Sequence, residues 1–228
     1  MALVEEFEKY RIKILAMQEI RWPEQGKVSR KGHILYYSGS KKKHEFGTGF
    51  VVHRTLKDRI LSVTPVNERL CKLRIKGRFQ NITLFSVHAP TLDKDNMVKE
   101  TFYAELEKEF DNVPKYDIKI ILGDFNAKLG KEAFLRPAVG SHSLHDTCND
   151  NGQRLADFDV TRGLIVSSTY FPHKDIHKGT WRSPVGLTLN QIDHVLVSHR
   201  HASSILDCRR KIGIQKFKRN GFYPEVEP

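Results

Sequence analysis

The strongest constraint on this chain is a set of short runs that are apolar on both faces, several of which close on a carboxylate. They cover residues 12–17, 49–53, 60–66, 70–75, 82–88, 118–122, 164–168 and 192–197, and most are bounded by Gly, Pro, Asn or charged residues. A run of this kind reads as a strand covered on both sides by other layers. Helical spacing is confined to three places. Leu3, Phe7 and Tyr10 form a stripe in the first turns. Residues 96–113 carry Phe102, Leu106 and Phe110, and Pro114 stops them. Residues 151–162 carry Leu155 and Phe158, with Gly163 placed as a C-cap. Many strands and few helices predict a layered α/β sandwich rather than a doubly wound sheet. A chain of 228 residues without repeats or low-complexity segments suits one domain. The first helix begins almost at Met1 with no strand before it, so the expected sandwich lacks its first core strand.

Three carboxylates share one context. Glu19 closes the run Ile14-Leu15-Ala16-Met17-Gln18-Glu19, Asp124 closes Ile120-Ile121-Leu122-Gly123-Asp124, and Asp193 sits in Gln191-Ile192-Asp193-His194-Val195. A charge at the edge of an apolar strand is costly unless it pairs or binds a cation. One such carboxylate is most simply a cap or an ion pair; three point to a shared site for a hard cation, Mg²⁺ or Mn²⁺ rather than zinc. In Gly123-Asp124-Phe125-Asn126-Ala127, an extended backbone would aim Asp124 and Asn126 the same way, one as acceptor and one as amide donor to a phosphate oxygen. Gly123 would allow close backbone approach. His88, in Val87-His88-Ala89-Pro90, could hydrogen-bond a phosphate or tune a nearby acid, although a lone strand-end histidine is more often structural.

Charge narrows the partner. Lys and Arg number 38 against 27 Asp and Glu, a net +11, which favours a polyanion. Basic clusters occur at Lys41-Lys42-Lys43 and from Arg209 to Arg219. Cys71, Cys148 and Cys208 are odd in number and far apart, which argues against a disulfide framework or structural zinc. The start, Met1-Ala2-Leu3-Val4-Glu5-Glu6, is acidic and unlike a signal peptide, and no run reaches the roughly 18 apolar residues of a membrane span. The expectation is an intracellular protein with no membrane partner.

Gln18-Glu19, Gly47-Thr48-Gly49, His88-Ala89-Pro90, Gly123-Asp124-Phe125-Asn126 and Ile192-Asp193-His194 together resemble, in order and spacing, the endonuclease/exonuclease/phosphatase superfamily, also called DNase I-like. Three further phrases are similar to RTE-type non-LTR retrotransposon endonucleases, which host genomes carry as craniofacial development protein 2-like genes. They are Asn151-Gly152-Gln153-Arg154-Leu155-Ala156-Asp157-Phe158, Ser168-Thr169-Tyr170-Phe171 and Gly179-Thr180-Trp181-Arg182.

The resemblance implies a four-layered α/β sandwich over residues 1–207, followed by a divergent basic tail at 208–228. It implies Mg-dependent hydrolysis of one DNA strand, and hence a nuclear location. By the same resemblance Glu19 is the metal ligand, Asp124 positions or deprotonates the attacking water, Asn126 orients the scissile phosphate and His88 contacts it. Asp193 would orient a general-base histidine, an alternative to its place in the metal set Glu19, Asp124 and Asp193. An inositol-phosphate phosphatase of the same fold is disfavoured, because the last strand reads Asn190-Gln191-Ile192-Asp193-His194 instead of carrying a Trp and an Asp-Arg pair.

Two motifs of the superfamily have no counterpart. The N-terminal Trp-Asn strand is one; the Ser-Asp-His that carries the base is the other, and no Ser-Asp-His occurs in the sequence. His199 and His201 stand too close to the Asp193 strand to replace it, and His142 and His145 lie in an unrelated loop. The first and last core strands are therefore expected to be missing and nicking to be severely impaired. The alternative is a non-catalytic remnant that binds nucleic acid or a protein.

Overall fold

The computed structural model describes residues 7–41, 44–186, 188–210 and 223–226. In chain order the strands are β1 (Ile14–Met17), β2 (Gln25–Arg30), β3 (His33–Ser38), β4 (Thr48–His53), β5 (Ile60–Asn67), β6 (Leu70–Ile75) and β7 (Ile82–His88). They continue with β8 (Ile118–Asp124), β9 (Leu164–Val166), β10 (Trp181–Arg182), β11 (Leu189–Asn190), β12 (Asp193–Ser198), β13 (Ile205–Arg209) and β14 (Tyr223–Val226). The helices are α1 (Asn96–Asp111), α2 (Asp150–Arg162) and the short α3 (Asp175–Lys178).

A four-stranded antiparallel sheet has the order β1-β4-β3-β2, and a six-stranded sheet the order β5-β6-β7-β8-β12-β9. Their inner faces form one seam. Phe50 and Val52 of β4 meet Leu73, Leu84, Ile120, Leu122 and Val195 there. On the outer face of the larger sheet, Phe85, Ile121 and Leu196 pack with Phe102, Leu106 and Phe110 of α1 and with Leu155 and Phe158 of α2. Outside the smaller sheet, Phe7, in a helical turn at residues 7–9, covers Leu15 and Val51. These are the four layers of the expected sandwich. Ile120 and Leu122 face the seam while Ile121 between them faces the helices, and this is why the run lacks polar alternation.

Strands β7 and β8 run parallel, joined through α1, and Ile82 pairs with Ile118 at the start of a register that keeps to His88 and Asp124. A parallel pair needs a crossover of this length. Every apolar run of the sequence forms a strand at nearly its expected bounds, except that residues 167–169 turn into a 3₁₀ segment. The β2–β3 hairpin was not expected. Its first strand is exposed and polar, and its turn residues Lys31 and Gly32 take positive φ values of 45° and 77°, the two-residue primed geometry that matches strand twist. Leu3 of the first helical stripe lies outside the described residues. The division expected at residue 207 falls inside β13, which pairs with β14 and buries Cys208 in the seam core. Among the described residues no helix is long and apolar enough to cross a membrane.

Helix α2 is bounded as its residues dictate. The Asn149 side chain accepts from the Gly152 N–H at 2.7 Å, and Gly163 ends the helix in the left-handed region at φ 61°. Its inner face carries one cost. Asp159 is wholly buried, neither carboxyl oxygen has a hydrogen-bond partner, and the equally unpartnered Tyr103 hydroxyl lies within electrostatic reach. Burial pushes the Asp159 carboxyl well above the usual carboxylate range. A raised pKa favours the fold below the unfolded value and loses that advantage as pH rises towards the folded one. Asp159→Asn is therefore expected to raise the melting temperature at pH 8, with the gap closing on acidification to pH 5; thermal melts across that range check it, and a lower melting temperature for the variant at pH 8 would contradict it.

Candidate active site

Three neighbouring strands of the larger sheet bring chemistry to one level. His88 at the end of β7 stands opposite Asp124 at the end of β8, and Asp193 at the start of β12 stands opposite the same Asp124. Glu19 reaches this level from the other sheet, two residues past β1. A hydrogen-bond bridge ties the two sheets there: Gln18 Nε2 donates to Ser86 Oγ at 3.1 Å, and Ser86 Oγ donates to the Met17 carbonyl at 3.0 Å. Gly123 makes the approach possible. At φ 146° its missing Cβ would stand 2.1 Å from the Val87 carbonyl oxygen and 3.0 Å from Gln18 Nε2.

The Asp124–Asn126 segment departs from the extended geometry expected of it. Asn126 takes a left-handed φ of 50°, so Asp124 Oδ1 accepts the Asn126 backbone N–H at 2.8 Å. The Asn126 side chain donates instead to the Ala89 carbonyl at 2.9 Å, which links it to the loop after His88. Asn151, at the start of α2, donates to both loops, to the Pro90 carbonyl at 3.0 Å and the Asn126 carbonyl at 3.1 Å. The phrase beginning at Asn151 thus buttresses the site rather than forming it.

Electrostatics separate the carboxylates. Burial pushes the Asp124 carboxyl up to about 7; the nearby Glu19 charge pushes the same way, against the Asn126 N–H that favours ionisation. Glu19 accepts from Arg21 Nη2 at 3.3 Å. Asp193 is buried, and its backbone N–H donates to Thr180 Oγ1 at 3.1 Å. Burial draws the Arg210 guanidinium down, and the charge of Asp193 draws it back; Arg210 also donates to the Gly179 carbonyl at 2.9 Å. Among the described residues no three His, Cys, Asp or Glu side chains converge as a ready metal cage. Glu19 and Asp124 are nonetheless the donor type a hard cation takes, and its charge would relieve the cost that burial and Glu19 place on ionising Asp124.

The histidines divide by role. His88 is buried with its ring edge-on to Phe46 at 5.8 Å. Arg69, missed in the sequence, lies over the Phe46 ring at 4.0 Å and donates to the His88 carbonyl at 3.1 Å; nothing local in Glu68-Arg69-Leu70 signals this. His194 of the Ile192-Asp193-His194 motif points away from the site. Its Nε2 donates to the Ala127 carbonyl and its Nδ1 accepts from Ser168 Oγ, both at 2.9 Å. The loop of His142 and His145, expected to be unrelated, is instead joined to the segment leading into the Asp193 strand. The Gln191 N–H donates to His145 Nε2 at 3.1 Å, and Gln191 Oε1 accepts from the Leu144 N–H at 3.0 Å.

Comparison with known proteins identifies the family and the fold. A family model described as "Endonuclease/Exonuclease/phosphatase family" matches residues 2–209. Craniofacial development protein 2 of Tragulus javanicus is 29% identical over 209 residues, covering 92% of this chain and 36% of that protein. The Bos taurus protein of the same name is 28% identical over 209 residues, covering 92% and 35%. The chain therefore spans about a third of the length of these curated relatives. The endonuclease domain of TRAS1, a telomere-specific non-LTR retrotransposon, superposes with a TM-score of 0.66 at 16% identity, covering 99% of this chain and 92% of that one. The 3′ phosphatase NExo from Neisseria, bound to a product DNA hairpin, gives 0.67 at 18% identity, covering 100% and 94%. The AP endonuclease LMAP from Leishmania major gives 0.69 at 13% identity, covering 97% and 80%. At these identities the structural likeness establishes the fold.

His194 holds the Asp124–Ala127 loop to β12, and burial pushes its pKa down to about 4 from its usual 6.5. A depressed histidine contributes stability above its unfolded pKa and loses it as pH falls towards the folded one. His194→Leu leaves the Ala127 carbonyl and Ser168 hydroxyl without their partner, which is expected to cost about 2–4 kcal/mol. Urea unfolding at pH 7.5 and pH 5 checks this: the variant should be less stable at both, with the deficit smaller at pH 5. A deficit that grows on acidification would contradict the assignment.

Proposed function

Because the chain belongs to the endonuclease/exonuclease/phosphatase family, we propose that its carboxylate end is a magnesium-dependent phosphodiesterase site that nicks one strand of DNA, derived from a retrotransposon endonuclease and working in the nucleus. The observation that carries this reading is the meeting of Glu19 from one sheet with Asp124 and Asn126 from the other. Glu19 and Asp124 would hold Mg²⁺ or Mn²⁺, with Asp193, across the register from Asp124, as the third candidate ligand. Bound there, the cation would stabilise phosphate charge and lower the pKa of a water molecule.

The remaining steps fall to side chains. One Asp124 oxygen is occupied by the Asn126 N–H, so the other is the one to position the attacking water. A primary amide has two N–H groups; Asn126 commits one to Ala89 and has the second for a phosphate oxygen. His88, braced by Phe46 and by Arg69, is the further phosphate contact.

The position of Arg210 favours slow turnover. A guanidinium within electrostatic reach of Asp193 is a permanent cation and cannot take a proton from water. Positioned general bases contribute about 10²–10⁴-fold to rate. Carried further, this supports a second reading: a domain that binds DNA without cleaving it.

Titration of Mn²⁺ into the chain and into Glu19→Ala is expected to show weaker binding by the variant. A plasmid-nicking assay with Mg²⁺ should show slow nicking that Asp124→Asn and Glu19→Ala abolish. Equal Mn²⁺ affinity would overturn the metal site; DNA binding with no nicking at any Mg²⁺ concentration would select the binding reading.

The net charge of +11 predicts that duplex DNA binds with little sequence preference and strong salt dependence. Each phosphate neutralised by Lys or Arg contributes a slope of roughly −0.9 in log K against log salt. Fluorescence anisotropy between low and physiological salt measures it, and salt-independent binding would exclude the nucleic-acid partner.

A further inference from the structure

The opposite end of the larger sheet carries a second concentration of unusual residues. Strand β5 begins where β6 ends, Ile60 pairing with Ile75, and β7 and β8 begin side by side, Ile82 pairing with Ile118. The segments preceding and joining these strands are therefore neighbours. The Lys76 N–H donates to the Arg59 carbonyl at 2.7 Å, and the Ile118 N–H donates to the Asn81 carbonyl at 2.8 Å. The seven residues of β7 place this end roughly 20 Å from His88.

Two aromatic side chains stand out from it into solvent. Phe79, in the β6–β7 turn, is 89% exposed, and Tyr116, before β8, is 80% exposed. These are among the most exposed large apolar side chains of the described residues. Arg59, Lys76, Arg78 and Lys115 surround them, all exposed, with the Arg78 guanidinium 5.2 Å from the Phe79 ring centre. The segments 75–82 and 112–118 contain one carboxylate, Asp117, and it is spent. It is buried, holds Arg74 through bonds of 2.7 and 3.0 Å, and accepts from Thr83 at 2.7 Å. Those bonds hold its carboxyl below the usual range despite burial. Asp58, exposed beside Arg59, is set against Arg59, Lys76, Arg78 and Lys115, so the outward charge of this end is positive by excess.

We propose that this end of the sandwich is a second binding surface, for single-stranded nucleic acid, with phosphates on the cations and unpaired bases stacked on Phe79 and Tyr116. Cations alone would suit any polyanion; the aromatic pair is what selects an unpaired strand. A base in a duplex has its faces covered by its neighbours, whereas every unpaired base offers a π-face to an exposed ring. The inference does not depend on catalysis at the carboxylate end, and it holds for a chain that only binds.

The test uses the full chain and a short fluorescein-labelled oligothymidylate, with oligouridylate, a blunt duplex hairpin and phosphatidylserine vesicles as further probes. Phe79→Ala/Tyr116→Ala should weaken binding of at least one of the two single strands about tenfold, the effect expected of lost stacking, while leaving the hairpin affinity unchanged. Phe79→Trp should restore affinity in the Tyr116→Ala background. Both variants alter exposed side chains, so their melting temperatures should equal that of the parent chain. Unchanged affinity for both single strands would overturn the proposal. An equal loss for the hairpin would also overturn it, because no stacking selectivity would exist. Capture by phosphatidylserine vesicles that is abolished in the double variant, without loss of oligonucleotide binding, would assign the surface to a membrane instead.

Discussion

The parallel pairing of β7 with β8 is the constraint on which the site depends. It places His88 level with Asp124, and the antiparallel pairing on the other side of β8 places Asp193 level with the same residue. The register of β8 is in turn set by its apolar side chains. Ile120 and Leu122 belong to the inter-sheet seam, Ile121 to the helical side, and a slip of one residue would exchange them. The same packing delivers Glu19, because β1 lies against the seam through Ala16 and its end is bonded to Ser86 through Gln18. Hydrophobic burial thus sets the position of charged groups that could not hold one another there unaided.

Charged strand ends need a fixed loop as well as a fixed strand. Asn126 in left-handed geometry loses the support that regular pairing would supply, and three side chains restore it. Asn151 bonds the carbonyl of Asn126, His194 bonds that of Ala127, and Asn149 accepts from the Lys128 N–H at 3.0 Å while capping α2. Each is a buried or partly buried polar group that would be costly if unpartnered, so the loop and its supports hold one another in a single arrangement. The neutral His194 serves here because a protonated ring could not accept from Ser168.

The layers were legible because their cause is compositional. A strand covered on both faces must be apolar throughout, and helices that cover it must repeat Phe102, Leu106 and Phe110 on one side; both patterns survive in the sequence without tertiary information. The polar strand β2 carries no such pattern, since both its faces are largely exposed and free to carry Lys27, Ser29 or Arg30. The site residues were legible as types but not as geometry. Asp124 and Asn126 were identifiable from Gly-Asp-Phe-Asn, yet the Asx turn that redirects Asn126 depends on where Ala89 and Asn151 lie. Arg69 against Phe46, His145 against Gln191 and Arg210 against Gly179 are separated by 23, 46 and 31 positions of sequence, and no local periodicity encodes such contacts.

Charge is also divided between the two ends of the larger sheet, and the division follows from what each end must neutralise. At the carboxylate end, burial and the Glu19 charge both hold the Asp124 carboxyl above its usual range, and a cation there would relieve that cost. At the other end the sole carboxylate of the two central segments is already matched by Arg74, and the other charged side chains of those segments are cations beside solvent-facing rings. A single polyanion lying across the carboxylates needs cations flanking them, not a reserve roughly 20 Å away along the strands. At physiological ionic strength screening acts within about 8 Å, so the distant cluster adds little to the field at Asp124. Its positive charge is instead available to whatever touches that end directly. The charge at each end of the larger sheet is therefore set locally, by the residues that end the strands there.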